Sequence, residues 1–166
     1  MASKTSGRVN PVPKGFHTVT PVLIIRGAAD AIEFYKHAFD AKEHSRALAQ
    51  DGVSIAQAEL QIGNSRILVC DEYPEIGITS PVTVNGSTVI VHLYVKDVDT
   101  LWRQALDSGA RVLIPLEDTY WGDRYGKLID PFGHQWSLAS RRRNLSEEEI
   151  AERAKALFNA EQSPDE

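Results

Sequence analysis

One pattern is written twice in this chain and restricts its fold more than any other feature. Thr18 to Arg26 is rich in Val, Ile and Thr and reads as a strand that Gly27 ends. From Ala28 to Ala41, Ile32, Tyr35, Ala38 and Phe39 recur at helical spacing. Strands are expected at about 42–49, 54–62 and 65–72, with Asp51-Gly52 and Gly63-Asn64 as the turns between them. Glu75 to Gly86, broken by Gly77 and Pro81, reads as a linker. The order then restarts. Thr88 to Val95 is a strand, Val98, Leu101, Trp102, Ala105 and Leu106 form a helical stripe, and Gly109 closes that helix. Arg111 to Pro115 begins another strand, and a final hairpin supplies the last two. The offset is about 70 residues, with Ile25-Arg26-Gly27 and Val95-Lys96-Asp97 standing at equivalent helix entries. The repeat is one of pattern, not of residue identity.

The final hairpin carries the most chemistry. Asp130-Pro131-Phe132-Gly133 has Pro at the second position and Gly at the fourth, as a type I turn requires. Lys127-Leu128-Ile129 and His134-Gln135-Trp136-Ser137-Leu138 flank it with strand-like alternation. Around them stand Trp121, Asp123, Arg124 and Tyr125, more recognition-suited side chains than a plain hairpin needs.

Period-two alternation divides each strand into two faces. Val89, Val91, Leu93 and Val95 form an apolar row that suits packing under a helix, and Ile90, His92 and Tyr94 oppose it. Ala56, Ala58, Leu60 and Ile62 oppose Ile55, Gln57, Glu59 and Gln61. Trp136 and Leu138 oppose Gln135 and Ser137, and Pro21, Leu23 and Ile25 oppose Thr20, Val22 and Ile24. Every second face mixes polar with apolar groups. Solvent would leave Ile24, Ile90 and Tyr94 misplaced, whereas a dry core would make Gln57 and Glu59 costly. A curved sheet lining a partly closed pocket satisfies both.

The remaining features bound function by exclusion. A chain of 166 residues can bury one sizeable core. Its net charge of -5 gives no basic face for nucleic acid, and Arg141-Arg142-Arg143 reads as a solvated strand end before a helix. Cys70 stands alone, as a small buried hydrophobe in Arg66 to Cys70. No apolar run suits a membrane span, and Met1 to Lys14 lacks the apolar core of a signal peptide, so a cytoplasmic location is expected. Residues 1–15 read as a flexible tail, 16–140 as the domain with modules at about 17–74 and 87–140, and 141–166 as a C-terminal helix and tail. Ser146-Glu147-Glu148-Glu149 is a capping box for that helix. Ile150, Ala154, Leu157 and Phe158 give it an apolar stripe for docking on the body or on a partner subunit. Gln162 to Glu166 is expected to fray.

The doubled order, the helix Ala31-Ile32-Glu33-Phe34-Tyr35-Lys36-His37-Ala38-Phe39 and the run Asp130-Pro131-Phe132-Gly133-His134-Gln135-Trp136 resemble the vicinal oxygen chelate superfamily of glyoxalases, bleomycin-resistance proteins and extradiol dioxygenases. Trp121-Gly122-Asp123-Arg124 before that run looks most like the PhnB-like branch. The resemblance covers about residues 17–140. It implies an α+β fold, two βαβββ modules forming a curved mixed sheet around a pocket, and a homodimer. The family's enzymes hold a divalent metal with four His or Glu ligands from the first and last strands of each module. Carried over, those positions are Thr20, Leu68, Ile90 and Ser137. None is His, Glu or Asp, and Leu and Ile cannot coordinate a metal.

A small-molecule-binding protein of the glyoxalase/bleomycin-resistance type is therefore expected, without membrane or nucleic-acid partners and with no cofactor required. The alternative is a metal-dependent glyoxalase-like lyase or isomerase, or a dioxygenase, with its divalent metal relocated to Glu59 and His92. Glu59 is the candidate catalytic residue, as a general base or an anchor for a cation, against a rim carboxylate paired with Arg. Thr20, Gln57, Glu59, His92, Tyr94, Trp121, Arg124, Tyr125 and Ser137 are the candidate ligand-binding residues. Trp121, Arg124 and Tyr125 would stack on a planar ligand and fix its charge. The competing reading pairs Arg124 with Asp123 or Asp130.

Overall fold

The computed structural model describes residues 9–161. The doubled pattern appears as β1 (Val22–Ile25), α1 (Ala28–Phe39), β2 (Lys42–Leu48), β3 (Ile55–Ile62) and β4 (Ser65–Asp71), then β5 (Ile90–Tyr94), α3 (Val98–Asp107), β6 (Arg111–Asp118), β7 (Asp123–Ile129) and β8 (Gln135–Arg141). The stretch read as a linker holds a 3-10 turn, Pro74–Ile76, and one short helix, α2 (Pro81–Val84). A last helix, α4, spans Glu147–Glu161. The strands form two mixed four-stranded sheets, ordered β1-β4-β3-β2 and β5-β8-β7-β6, each with one parallel pair. The architecture is the α+β pair of βαβββ modules expected from the pattern.

Each module buries its apolar rows against its own helix, and α1 and α3 meet. Leu23, Ile25, Ala58, Leu60, Ile67 and Val69 lie under α1, and Leu128, Trp136 and Leu138 complete the core from the second sheet. The aromatic centre joins the modules: Trp136, fully buried, lies 5.3 Å from Tyr35 and 4.5 Å from Phe39 between ring centroids. Burying a side chain of this size stabilises by about 1.5–3 kcal/mol. Gly126 admits the other core tryptophan. A Cβ there would sit 2.6 Å from the Trp102 ring.

The two helix entries, matched by position, are capped by different means. Asp97 is the N-cap of α3, and its carboxylate accepts from Thr100 N–H at 3.0 Å. Gly27 has no side chain and takes a left-handed conformation, so Asp71 from β4 supplies the acceptor for Gly27 N–H and Ala28 N–H. The expected capping box of α4 is present: Glu149 N–H donates to Ser146 Oγ, and Ser146 N–H donates to the Glu149 carboxylate.

Three details differ from the alternation. Val89, expected under a helix, precedes β5 and is exposed. β1 begins at Val22, so Thr20 precedes the strand and its hydroxyl donates to His17 O. In β3 the pairing shifts between Ala47/Gln57 and Leu48/Ile55, a bulge that turns Ile55 into the core and leaves Ala56 exposed. No helix among the described residues is long and apolar enough to cross a membrane. The tail expected at 1–15 lies outside the described residues at 1–8, as does the frayed end expected at 162–166.

Candidate functional site

The faces turned away from α1 and α3 hold most of the polar groups singled out by alternation. On the second sheet, register sets them in rows. His92, Ser137 and Lys127 lie side by side across β5, β8 and β7, with Tyr94, Ala139 and Tyr125 in the next row. His92 Nδ1 lies 2.6 Å from Ser137 Oγ, and that serine is almost wholly buried. Burial lowers the His92 pKa, the Asp123 carboxylate opposing it, so a neutral imidazole is presented at neutral pH.

Asp123 is the buried anion of this face, 1% exposed, and its neighbours satisfy it fully. It accepts from Tyr94 Oη at 2.7 Å, from Trp121 Nε1 at 3.2 Å and from Arg141 Nε at 3.3 Å. The bond to Asp123 raises the Tyr94 pKa, with burial adding to it. Rings continue outward from the imidazole: His92 to Tyr125 at 6.1 Å, Tyr125 to Trp121 at 5.7 Å, Trp121 to Tyr120 at 4.9 Å, and Tyr120 to Phe158 of α4 at 6.3 Å. This ladder joins two openings. A groove of about 660 Å³ runs between β1 and β5 past His92 and His134, and a cleft of about 830 Å³ lies between the β6–β7 hairpin and α4.

The structure thus brings together His92, Tyr94, Trp121, Tyr125 and Ser137. Arg124 is turned the other way. Its Nε donates to Asp99 of α3 at 2.8 Å and its guanidinium also meets Asp118, not Asp123 or Asp130. Gln57 and Glu59 belong to the first sheet, where the Glu59 carboxylate is ion-paired with Arg66, beside Leu68 in the register. The rim-pairing alternative for Glu59 is what its geometry presents. Asp123, Arg141 and Lys127 also belong to the second sheet's open face; Asp123 was noted in the hairpin, but none of the three was among the candidate ligand-binding residues. Alternation from Tyr125 would place Asp123 and Lys127 there. The burial of Asp123 depends on Tyr94, 29 residues away, and no local pattern carries it.

The positions at which the family's enzymes carry metal ligands do not fit a divalent ion. Thr20 lies outside β1, Leu68 and Ile90 offer no donor atom, and Ser137 is bonded to His92. Register sets His92 beside Ser137 and Glu59 beside Leu68, but that imidazole is bonded to Ser137 and that carboxylate is paired with Arg66. Among the described residues no three His, Cys, Asp or Glu side chains converge.

Comparison with known proteins agrees with this architecture. The family model described as Glyoxalase/Bleomycin resistance protein/Dioxygenase superfamily matches residues 16–138. An uncharacterized protein of Mycobacterium bovis is 41% identical over 135 residues, 80% of this chain and 88% of the relative. A solved gene product of Arabidopsis thaliana is 30% identical, covering 75% of this chain and 98% of its own with a TM-score of 0.59. A PhnB protein from Bacillus cereus, 19% identical, covers 75% and 99% with a TM-score of 0.59. The fosfomycin resistance protein FosX from Listeria monocytogenes, solved with Mn(II) and sulfate, is 14% identical over 83% of this chain and 97% of its own, with a TM-score of 0.60.

Proposed function

The chain belongs to the glyoxalase/bleomycin resistance protein/dioxygenase superfamily, and we propose from that premise that it is a small-molecule-binding protein whose ligand lies on the open face of the second sheet. The observation that carries this reading is the ladder of His92, Tyr125 and Trp121 above the buried Asp123. Its rings offer large rigid apolar area, and its hydrogen-bonded polar ends fix ring orientation, the usual make-up of a ligand site. His92 supplies a neutral imidazole edge and Lys127 an ammonium group beside Ser137. Binding then draws its free energy from aromatic burial, with a few polar contacts setting the pose.

Glycosidic, peptidic or flat aromatic compounds are suitable ligands. Isothermal titration against a panel of them tests the reading: stoichiometric binding weakened by Trp121→Ala is expected. Turnover of a bound compound would replace binding with catalysis. A relocated metal on Glu59 and His92 is disfavoured, because Glu59 is paired with Arg66 and, among the described residues, no group of three His, Cys, Asp or Glu side chains converges. Elemental analysis of protein purified without chelators checks that point.

A homodimer is part of the proposal. Val22, Ile90 and Tyr94 on the open faces and Val112, Leu113 and Ile114 on the edge strand β6 are all more than two-fifths exposed in the single chain. Apolar area of this kind is what a second copy would cover. Sedimentation velocity gives the mass directly, and a monomer at micromolar concentration would remove this part.

A further inference from the structure

We propose that the cleft between the β6–β7 hairpin and α4 binds a planar aromatic anion, its ring against Tyr120 and Trp121 and its acid group held by Arg143 and Arg153. The inference rests on the small-molecule reading of this face and names the ligand's chemical class. The cleft, about 830 Å³, lies within the range of small-molecule sites, roughly 300–1,000 Å³. Its apolar lining comes from Ile114, Pro115 and Leu157 and its rings from Tyr120, Trp121 and Tyr125.

Charge decides which ligand fits. The protein as a whole is acidic, yet this cleft gathers Arg142, Arg143 and Arg153. The neighbouring carboxylates are mostly committed. Asp123 is held by Tyr94, Trp121 and Arg141, Asp118 meets Arg124, and Arg142 is itself paired with Asp99 at 2.8 Å. Of the side chains lining the cleft, Arg143, Arg153 and Glu117 have no ion-pair partner among the described residues. Two free guanidinium groups against one free carboxylate leave a net positive charge beside an aromatic shelf. A guanidinium pair suits a planar acid through paired N–H donors.

The backbone holds this arrangement in place. The Gly122 carbonyl accepts from both Arg142 N–H and Arg143 N–H at 2.9 Å, tying the arginine segment to the hairpin. Gly122 has φ +96°, and a Cβ there would lie 2.8 Å from Arg143 O, so only glycine allows this approach. Trp121 is fixed by its Nε1 bond to Asp123, and α4 brings Arg153 and Leu157 over the cleft through Phe158 on Tyr120.

Isothermal titration of the full chain with 2-naphthoate and with its neutral isostere 2-naphthamide tests the proposal. The acid should bind about tenfold or more tightly than the amide, with a preference that falls as salt rises. The double variant Arg143→Gln/Arg153→Gln changes only exposed side chains; it should lose that preference and keep its affinity for the amide. Trp121→Ala should weaken both compounds. Equal binding of acid and amide, or an unchanged preference in the double variant, overturns the anion assignment while leaving aromatic binding intact. Failure of both probes to bind overturns this proposal, and the wider ligand panel then judges the small-molecule reading separately.

Discussion

The Tyr35 hydroxyl on α1 donates a 2.8 Å hydrogen bond to the Asp130 carboxylate in the β7–β8 turn, joining two modules across 95 residues of chain. The same carboxylate oxygen accepts from Trp136 Nε1 at 2.9 Å, and the other accepts from Phe132 N–H and His134 N–H. Asp130 is 3% exposed, so every partner it loses leaves a buried donor unmatched. Burial first, then the adjacent carboxylate, pushes the Tyr35 pKa well above its ordinary value, so the phenol stays a donor. Tyr35→Phe should cost about 1.5–3 kcal/mol, the loss of one bond to a charged group, and Asp130→Ala about 3–5 kcal/mol. Urea denaturation of both variants and their double mutant checks this. A double-mutant cycle with no coupling would contradict a direct bond.

Of the glycines in the second module, Gly126 leaves the least room for a Cβ, against the Trp102 ring. Gly126→Ala places a Cβ 2.6 Å from the indole and 3.0 Å from Leu116 Cα, with backbone on one side and a fixed ring on the other. The substitution should destabilise by about 1–3 kcal/mol through overpacking. Adding Trp102→Phe, which withdraws the clashing ring edge, should recover part of that loss. Thermal unfolding of the pair decides, and an additive double mutant would place the strain elsewhere.

The helices, the strand order and the hairpin were legible because they depend on local period and turn chemistry. Trp136, Leu138 and Leu60 fall on the core side by alternation alone. Ile55 did not follow, since a bulge adds one residue and reverses the phase of everything before it. The site was legible in part for the same reason. His92, Tyr94 and Tyr125 sit on one face by parity, and Ser137 meets His92 because two parallel strands align. Arg124 takes the opposite parity to Tyr125, and the alternation could have said so. What no local pattern holds is pairing at a distance: Arg66 on Glu59, Asp99 on Arg124, and Tyr94 on Asp123.

Acid should weaken the fold through two carboxylates whose pKa falls from the ordinary 4.5 to about 2. Glu43 is lowered chiefly by its hydrogen bond to Arg46, then by Lys36 against the cost of burial. Glu72 is lowered by Thr83, Arg26 and Ser80 N–H. A folded value below the unfolded one means stability is full above about pH 4.5 and is lost as pH falls toward 2. Glu72→Gln and Glu43→Gln should each flatten the acid limb of stability against pH. Denaturation midpoints between pH 2 and 6 measure it, and parallel curves for wild type and variants would remove these groups as the cause.

His92 should titrate below its ordinary 6.5, since burial favours the neutral ring more than Asp123 favours the charged one. A lowered histidine pKa means the folded state binds fewer protons, so its contribution is complete above 6.5 and is lost as pH falls through the folded value. Asp123→Asn removes the opposing charge and should move the His92 midpoint lower still. Binding that uses the neutral imidazole should weaken in acid along the same titration curve. Imidazole NMR shifts followed from pH 4 to 8, in wild type and in Asp123→Asn, read the midpoint directly. A wild-type midpoint at or above 6.5, or an upward move in the variant, would mean that burial does not govern this ring, and the acid loss of binding should then follow another group.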